Sequence, residues 1–440
     1  MTVSPGQEEA IRFVNGAASM MDDTVSGNLP DATLRRLPYP YRAMLAICSD
    51  LDETPDRHVY FESMRFLNTR EPTAMGEGVG LEVGNSMYFD MPPDQFAYWN
   101  TDDAGRDMIR ALIRSGHIDC LHSFGDLATT RRHAEIALEE LARHDCRMKV
   151  WIDHGTAPSN FGGDIMQGSG DVPGSAVYHA DLTCGFGVEY VWRGRVTSVI
   201  GQEVPRRLGG HWNPDHPVAS VRTVAKEFAK GLLAAAGHEK YAMHGSNQVM
   251  QRVALRSGQK VWEFLRANPH WGGVSSCETA EGLGDVLTDK MLKRLMGRQG
   301  VCILYTHLGK VRDRREPFSL KTREALRRLS RLADDGRILV TTTRRLLDYW
   351  RMIREIAVST TRSPGKEGID IMVTAPTPHL DGLTLYHQNA RDVRLVVNGR
   401  VVDNVQRHGP DHTGVPSLSV PWTRLEFPVH RVCSARNRVN

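Results

Sequence analysis

The sequence predicts an α/β fold with a mostly parallel sheet, open or closed into a barrel, followed by a small all-β domain. Short apolar segments alternate with amphipathic helical segments over residues 43–356, the pattern of successive strand–helix units. After Ser359 the pattern changes to short β-type segments between turns. We therefore divide the chain into an N-terminal leader (1–40), an α/β region (41–358) and a sandwich-like C-terminal β domain (359–440).

The composition is that of an ordinary globular protein. Hydrophobic residues make up 40% of the 440 residues, charged residues make up 24%, and the formal net charge is +3. This charge gives no reason to expect a nucleic acid or an anionic membrane as a partner. No apolar segment reaches the roughly 18 residues of a membrane span. The first residues lack the basic and apolar parts of a signal peptide, and the seven cysteines form no C-x-x-C pair. We therefore expect a cytoplasmic protein with reduced thiols.

Short apolar runs predict the strands of the α/β region, because they are too short for helices and fit buried parallel strands. We predict these strands at residues 43–47, 80–89, 148–152, 187–192, 271–275, 301–305 and 338–342, and a further short strand that delivers His122. In the β domain, short strands are predicted at residues 369–373, 383–386, 393–397, 401–402 and 424–427. The dipeptide Asn398-Gly399 is a strong signal for a hairpin turn between two of them.

Apolar residues at helical spacing predict the helices. They fall at residues 8–21, 56–68, 101–115, 131–144, 224–236, 248–256, 261–267, 288–296, 320–333 and 343–356. Gly116 is a stop signal after the helix at residues 101–115, and Thr288 is a cap at the start of a later helix.

The stretch that contains Asp50 and Asp52 is central to the functional prediction. Both carboxylates directly follow the apolar run of residues 43–47. Residues i and i+2 of a strand face the same side, so both side chains are expected at the carboxyl end of one strand, where α/β folds have their active sites. Their repulsion calls for a metal, a base or a shared proton. The alternative is a polar turn in which Asp52 caps a helix.

Histidines follow three further strands. His122 ends one strand and is followed by Asp126, while His154 and His307 each come just after an apolar strand. A single histidine at a strand end is more often structural than catalytic. Four polar clusters at the same edge of a sheet nevertheless predict a shared site. Carboxylates and imidazoles together suit a divalent metal such as Zn, Co, Mn or Fe(II).

These motifs resemble those of the polysaccharide deacetylase superfamily, also called the NodB-homology or carbohydrate esterase superfamily. The chain looks like a divergent member of it. The family's first motif is T-F-D-D-G, or H-D-V-D in divergent branches, and residues 48–52 are C-S-D-L-D. Its second motif, H-[ST]-x-x-H, corresponds to H-S-F-G-D at residues 122–126 after G-H-I-D at 116–119. Its last motif, an apolar strand that ends in histidine, corresponds to I-L-Y-T-H at residues 303–307. The resemblance covers roughly residues 40–355 and implies a distorted (β/α) barrel.

The resemblance also implies a role for each matching residue. Asp50 would be the general base that takes a proton from the attacking water, and His307 the general acid that protonates the leaving group. Asp52, His122 and Asp126 would hold the metal, zinc by first choice and Co, Mn, Fe or Ni otherwise. Asp126 stands where the family has its second histidine.

Two further features depart from the family pattern. His154 stands where the common third motif has arginine and proline. Three roles are open for it: contact with substrate, orientation of Asp50, and metal ligation. We predict that His154 and Asn160 contact substrate. The arginine that supports the catalytic base in the family has no clear counterpart, and Arg193 and Arg42 are the candidates.

We therefore expect a metal-dependent hydrolase that removes an N- or O-acetyl group from a carbohydrate substrate. One alternative is a glycoside hydrolase on a related barrel, in which Asp50 works with a second carboxylate. The other is a non-catalytic carbohydrate-binding protein, in which aromatic side chains such as Trp99 and Trp192 stack on sugar rings.

Overall fold

The computed structural model describes residues 32–155, 157–205, 217–238, 241–269, 279–363 and 368–428. The helix predicted at residues 8–21 and the strand predicted at residues 271–275 lie outside these ranges. The described part is a mixed α/β fold. One 11-stranded sheet curls into a half-barrel, and three smaller sheets accompany it.

The first 14 strands include all those of the curled sheet. They are β1 (Thr33–Arg35), β2 (Met44–Ser49), β3 (Pro72–Thr73), β4 (Gly76–Glu77), β5 (Asn85–Met87), β6 (Ile118–His122), β7 (Val150–Ile152), β8 (Tyr190–Trp192), β9 (Val196–Thr197), β10 (Met250–Ala254), β11 (Lys260–Phe264), β12 (Arg266–Ala267), β13 (Val301–Thr306) and β14 (Leu339–Thr341). The order in the curled sheet is β10-β11-β8-β7-β6-β5-β2-β13-β12-β9, with β14 beside the first half of β2. Only the β10–β11 pair is antiparallel. The carboxyl ends of β2, β6, β7 and β13 therefore lie at the same edge.

Ten helices lie in the described part. They are α1 (Arg57–Asn68), α2 (Asp103–Arg114), α3 (Arg131–Arg143), α4 (Ala180–Phe186), α5 (Pro217–Ala235), α6 (Ala242–Ser246), α7 (Leu283–Val286), α8 (Asp289–Gly297), α9 (Leu320–Asp334) and α10 (Thr343–Glu355). Side-chain caps fix several of their starts, including the predicted cap of α8, where Thr288 Oγ1 accepts a hydrogen bond from the Met291 amide at 3.2 Å. None of these helices is both long enough and apolar enough to cross a membrane.

Two helices predicted from apolar spacing are wrong. Residues 248–256 and 261–267 form β10, β11 and β12 instead. Exposure alternates along β10, and Gly258 takes a positive φ of 90° in the turn between β10 and β11. The mistake arose because apolar residues three or four positions apart fit a helix as well as a half-buried hairpin. The predicted strand at residues 80–89 is shorter than expected and is confined to β5.

The C-terminal region forms two four-stranded sheets. Its strands are β15 (Ala357–Arg362), β16 (Ile369–Thr374), β17 (Thr384–Tyr386), β18 (Val393–Val397), β19 (Arg400–Val401), β20 (Gln406–His408) and β21 (Ser417–Ser419). One sheet has the order β15-β16-β18-β19 and the other β1-β17-β21-β20, so the segment before β2 adds a strand to the second. Asn398 and Gly399 both have positive φ and join β18 to β19, which confirms the hairpin turn. The strand predicted at residues 424–427 is wrong, because that segment is not in a strand.

Helix α10 connects the curled sheet to the two C-terminal sheets. Its buried side chains, such as Leu346 and Trp350, belong to one hydrophobic cluster with every second residue of β2, β7, β8 and β13. The same cluster contains Ile371 of β16 and Leu385 of β17. Helix α10 therefore lies between one face of the curled sheet and the C-terminal sheets.

Candidate functional site

Asp50 directly follows β2 and is buried, with 2% of its surface exposed. Its amide donates a hydrogen bond to the Thr306 carbonyl of β13 at 3.2 Å, which fixes the backbone at the carboxyl edge of the sheet. The chain then turns into a short 3-10 helix at Leu51–Glu53. Asp52 is therefore not on the strand, and the expectation that both carboxylates face one side of β2 is wrong. The Asp52 side chain lies outside the described part. Asp56, not Asp52, caps the next helix.

Three basic side chains surround the Asp50 carboxylate. The distance from Asp50 Oδ2 to His307 Nε2 is 3.2 Å. Asp50 Oδ1 lies 3.6 Å from Arg266 Nη2 and 3.7 Å from His122 Nδ1. These partners come from the end of β13, from β12 and from the end of β6, so the parallel arrangement of the strands brings them together.

The electrostatics favour an ionised Asp50 with two neutral imidazoles. Burial raises the pKa of Asp50, but His122, Arg266 and His307 outweigh it and hold the pKa at about 2. Burial lowers the pKa of His122 to about 3 and that of His307 to about 4, although the Asp50 charge opposes both shifts. The charge of Arg266 already balances that of Asp50. A further proton on either imidazole would therefore add an uncompensated positive charge to a buried site.

Arg266 is the site residue that the sequence analysis missed. It is fully buried, and its guanidinium carbon lies 4.1 Å from the ring centroid of Trp192 and 5.0 Å from that of Tyr305. Its three side-chain nitrogens make no hydrogen bond within the described ranges. The cation is thus held between aromatic rings and beside one carboxylate, which keeps Asp50 charged.

The arginine was missed because residues 261–267 were predicted to be helical. A lone arginine in the apolar stretch F-L-R-A at residues 264–267 was the available signal for a buried charge. Arg193, one of the two candidates, instead makes a two-point ion pair with Glu263 at 3.0 Å. Arg42, the other candidate, precedes β2 and so lies at the amino end of that strand.

His154 and Asp126 form a pair beside this cluster. His154 Nδ1 lies 2.8 Å from Asp126 Oδ1, and this hydrogen bond lowers the pKa of Asp126. The ring centroid of His154 is 4.9 Å from that of His122 and 5.1 Å from that of Tyr88. Tyr88 also stacks on His122 with centroids 4.4 Å apart. The His154–Asp126 pair therefore contacts the Asp50 cluster through the imidazole of His122.

Asn160 holds the backbone that follows β7. Its Oδ1 accepts a hydrogen bond from the His154 amide at 2.9 Å, and its Nδ2 donates to the carbonyls of His154 and Gly155 at 3.1 and 3.3 Å. The side chain is fully buried. In this structure the Asn160 amide therefore positions His154, and its predicted contact with substrate stays a prediction.

The side chains predicted to hold a metal are Asp52, His122 and Asp126. Within the described ranges, no three His, Cys, Asp or Glu side chains are arranged to hold an ion. The side chain of Asp52, one member of the predicted set, lies outside the described part. Of the other two, His122 is a buried neutral imidazole, and the half-buried Asp126 joins it through His154. The chemistry of these donors fits a divalent metal.

Two buried histidines predict that the fold loses stability in acid. They are His117, just before β6, and His179, at the start of α4. His179 Nε2 lies 2.8 Å from the Ser159 carbonyl, which can only accept, so this nitrogen carries a hydrogen and donates it. Burial lowers the pKa of both His179 and His117 from 6.5 to about 4. Below pH 6.5 the unfolded chain therefore binds more protons than the native state, and stability should fall as the pH drops from 6.5 towards 4.

Urea unfolding midpoints at about pH 7 and about pH 5 measure this effect, and His179→Gln should reduce the difference between them. A midpoint that does not change between the two pH values would contradict the buried neutral state of these rings.

Asp50, His122, Arg266 and His307 thus form one buried cluster, and His154 and Asp126 form a pair against it. No family model, curated protein or solved structure matches the chain. The chemistry of these six side chains is therefore the basis for a functional proposal.

Proposed function

We propose that the protein is a metal-dependent hydrolase that removes an N- or O-acetyl group from a carbohydrate. The observation that carries this proposal is the buried, ionised Asp50 within 3.2 Å of His307 and within 4 Å of His122 and Arg266. A charged carboxylate in direct contact with an imidazole, at the carboxyl edge of a parallel sheet, supports acid–base chemistry on a bound water.

The proton in this mechanism moves along the contact between Asp50 and His307. Asp50 takes a proton from water as the water oxygen attacks the substrate carbonyl. Because His307 is neutral in the resting site, it has to receive a proton before it can act as an acid. The 3.2 Å contact lets Asp50 pass this proton to His307, which then protonates the leaving amine or alcohol. The products are acetate and the deacetylated sugar, and Asp50 returns to its ionised form.

Arg266 and Tyr305 position the two reacting groups. The Arg266 guanidinium holds Asp50 in its charged form before each reaction cycle. Tyr305 Oη lies 3.2 Å from His307 Nε2 and restricts the orientation of the ring. These contacts keep the base and the acid within one proton transfer of each other.

We propose that Asp52, His122 and Asp126 hold the metal, with zinc as the first choice and Co, Mn, Fe or Ni as the others. When bound, such a metal lowers the pKa of a coordinated water and polarises the substrate carbonyl. His154 would then orient Asp126 through its hydrogen bond at 2.8 Å, as a partner outside the direct ligands.

We also propose that the curled sheet is the distorted (β/α) barrel of the polysaccharide deacetylase type. Strands β11 and β12 are separated only by Leu265, and they pair in parallel with β8 and β9 of one earlier segment. Strand β12 also pairs with β13, which lies beside β2. One end of the sheet contains β11 and the other contains β12, and these two strands are consecutive in the chain. The two ends are thus linked, as in a closed but interrupted barrel.

The neighbours of Asp50 argue against the glycoside hydrolase alternative. That chemistry uses a pair of carboxyl groups, one of them protonated. Within the described ranges the side chains in contact with the Asp50 carboxylate are two imidazoles and a guanidinium, not a second carboxyl group. A non-catalytic sugar-binding protein would not need a buried base in contact with a proton acceptor.

The proposal predicts that the purified protein contains about one divalent metal per chain and releases acetate from an acetylated oligosaccharide. A chelator should abolish the release, and one added equivalent of zinc should restore it, because the metal is required for the attacking water. Metal content is measured by mass spectrometry and acetate by a coupled assay.

Glycan cleavage that survives the chelator would favour the glycoside hydrolase instead. Bound metal without turnover of any acetylated sugar would favour the non-catalytic protein.

A further inference from the structure

Helix α5 has its polar face buried and its apolar face exposed. On the buried side, Glu227 is inaccessible to solvent, and Lys230 donates a hydrogen bond to its carboxylate at 3.0 Å. Lys230 also donates to the Val196 carbonyl of β9 at 3.4 Å, which joins the helix to the end of the curled sheet. Ser220, on the same side, is buried as well. The helix is thus attached to the protein through its polar side, the reverse of an ordinary amphipathic helix.

The exposed side of α5 carries a group of large apolar side chains. Eleven large apolar side chains are exposed in the described part of the chain, and five of them lie on this helix. The five are Val218, Val221, Phe228, Leu232 and Leu233. Val218 is 82% exposed, Leu232 57% and Phe228 52%. Single exposed apolar residues are common, but a group of this size on one helix marks an interaction surface.

The spacing of the exposed apolar residues fits packing against a second helix of the same kind. They follow alternating steps of three and four residues along one line, which we call the α5 seam: Val218, Val221, Ala225, Phe228, Leu232 and Ala235. This is the spacing with which two helices pack side by side in a coiled coil, each apolar side chain entering a gap between residues of the partner. An identical copy offers the same spacing, so the seam is complementary to itself about a two-fold axis.

The exposed area is sufficient for a weak but specific dimer. The five large side chains expose about 100 Å² each, so two copies together would remove about 1,000 Å² from water, the lower limit for a specific interface. Ala225 and Ala229 are exposed beside Phe228 on the same face, and their small side chains leave room for the Phe228 ring of the other copy.

A lipid surface fits this helix less well than a second copy does. An interfacial membrane helix presents a cationic polar face to the lipid headgroups. The polar face of α5 is buried instead, and its exposed cations, Arg222 and Lys226, lie along one border of the seam.

We propose that the α5 seam is the contact surface of a homodimer, in which the α5 helices of two copies pack side by side about a two-fold axis. The dimer removes from water the apolar surface of Phe228 and Leu232, which is exposed in the single chain. The inference does not depend on the hydrolase proposal, because no residue of α5 belongs to the Asp50 cluster.

Sedimentation equilibrium of the full chain tests the dimer. We expect a dissociation constant of about 1–10 µM, as suits an interface at the lower size limit. Leu232→Glu places a charge in the seam of each copy, and burying it without a partner is costly. This variant should therefore remain monomeric up to about 100 µM.

Leu320→Glu is the matched control for this substitution. Leu320 lies at the start of α9, is 60% exposed, and receives the same charge. This variant should dimerise like the unsubstituted protein. Phe228→Ala introduces no charge and keeps a good helix-forming residue, so it provides a second test if Leu232→Glu lowers the stability of the fold. It should raise the dissociation constant at least about 10-fold.

The proposal is overturned if the full chain stays monomeric up to about 100 µM, whichever other group then covers the seam. It is also overturned if Leu320→Glu weakens the dimer as much as Leu232→Glu, or if neither Leu232→Glu nor Phe228→Ala weakens it. Vesicles that contain phosphatidylserine are the probe for a membrane. A monomer that binds them, and that no longer does so as Leu232→Glu, would make the seam a membrane-contact surface and overturn the homodimer.

Discussion

Asp50→Asn should lower the rate of acetate release by about 10²–10⁴-fold while metal content stays unchanged, because an amide cannot take the proton that general base catalysis requires. Asparagine has the shape of aspartate, so residue 50 should stay close to its present distances of 3.2 Å from His307 and 3.6 Å from Arg266. Metal analysis, acetate release and the urea midpoint of the same preparation measure the three consequences.

Asp52→Asn is the matched variant, two positions further along the chain. Metal content and activity should fall together in this variant, since Asp52 is proposed as a ligand. If Asp50→Asn empties the site while Asp52→Asn keeps it filled, the two roles are exchanged. If neither changes the metal content, the proposed ligand set is wrong.

The pH dependence of the rate gives a further view of the same pair. Asp50 and His307 are in direct contact, so their protons are expected to be lost in two steps that belong to the pair. The rate should fall at low pH as the pair takes up protons, and His307→Ala should alter this acid limb. The loss in His307→Ala should be greatest for substrates with poor leaving groups.

Arg266→Met should destabilise the protein by about 3–5 kcal/mol, the cost of leaving a buried carboxylate without its cationic partner. The pKa of Asp50 should rise in this variant, because Arg266 is one of the charges that offset the effect of burial. Activity should fall as well, and the acid limb of the pH–rate profile should move to higher pH.

Arg252→Met is the control for this substitution. Arg252 lies on β10, is largely exposed, and packs on the ring of Trp262. Its replacement should change stability by no more than about 0.5 kcal/mol. Arg266→Lys, which keeps the charge, should retain part of the stability and activity. An unchanged urea midpoint and pH profile in Arg266→Met would show that this guanidinium does not control Asp50.

The order of the chemistry along the chain could be predicted from the sequence. Strands β2 and β13 are continuous apolar runs whose burial is complete, and each leads directly into Asp50 or His307. Parallel strands have their carboxyl ends at one edge, so a local pattern was enough to place these residues at the same edge. Helix caps such as Thr288 and the Asn398-Gly399 turn also depend on a few neighbouring residues, so the sequence was enough to predict them.

Tertiary structure alone decided the rest. The residues of β10, β11 and β12 have apolar spacings that fit two kinds of secondary structure, and pairing with β8, β9 and β13 selects the strand. Strand β2 ends at Ser49 and the backbone then turns into a 3-10 helix, so Asp52 is not in the strand.

The partner of Asp50 shows the limit of local patterns most directly. Arg266 is far from Asp50 in the sequence, and the two meet because β12 pairs with β13 and β13 pairs with β2. Trp192 and Tyr305 then enclose the guanidinium. The sequence by itself determined which side chains stand at the strand ends. Only the folded sheet decided which cation neutralises the buried carboxylate, because long-range pairing and burial set that contact, and no local spacing encodes either.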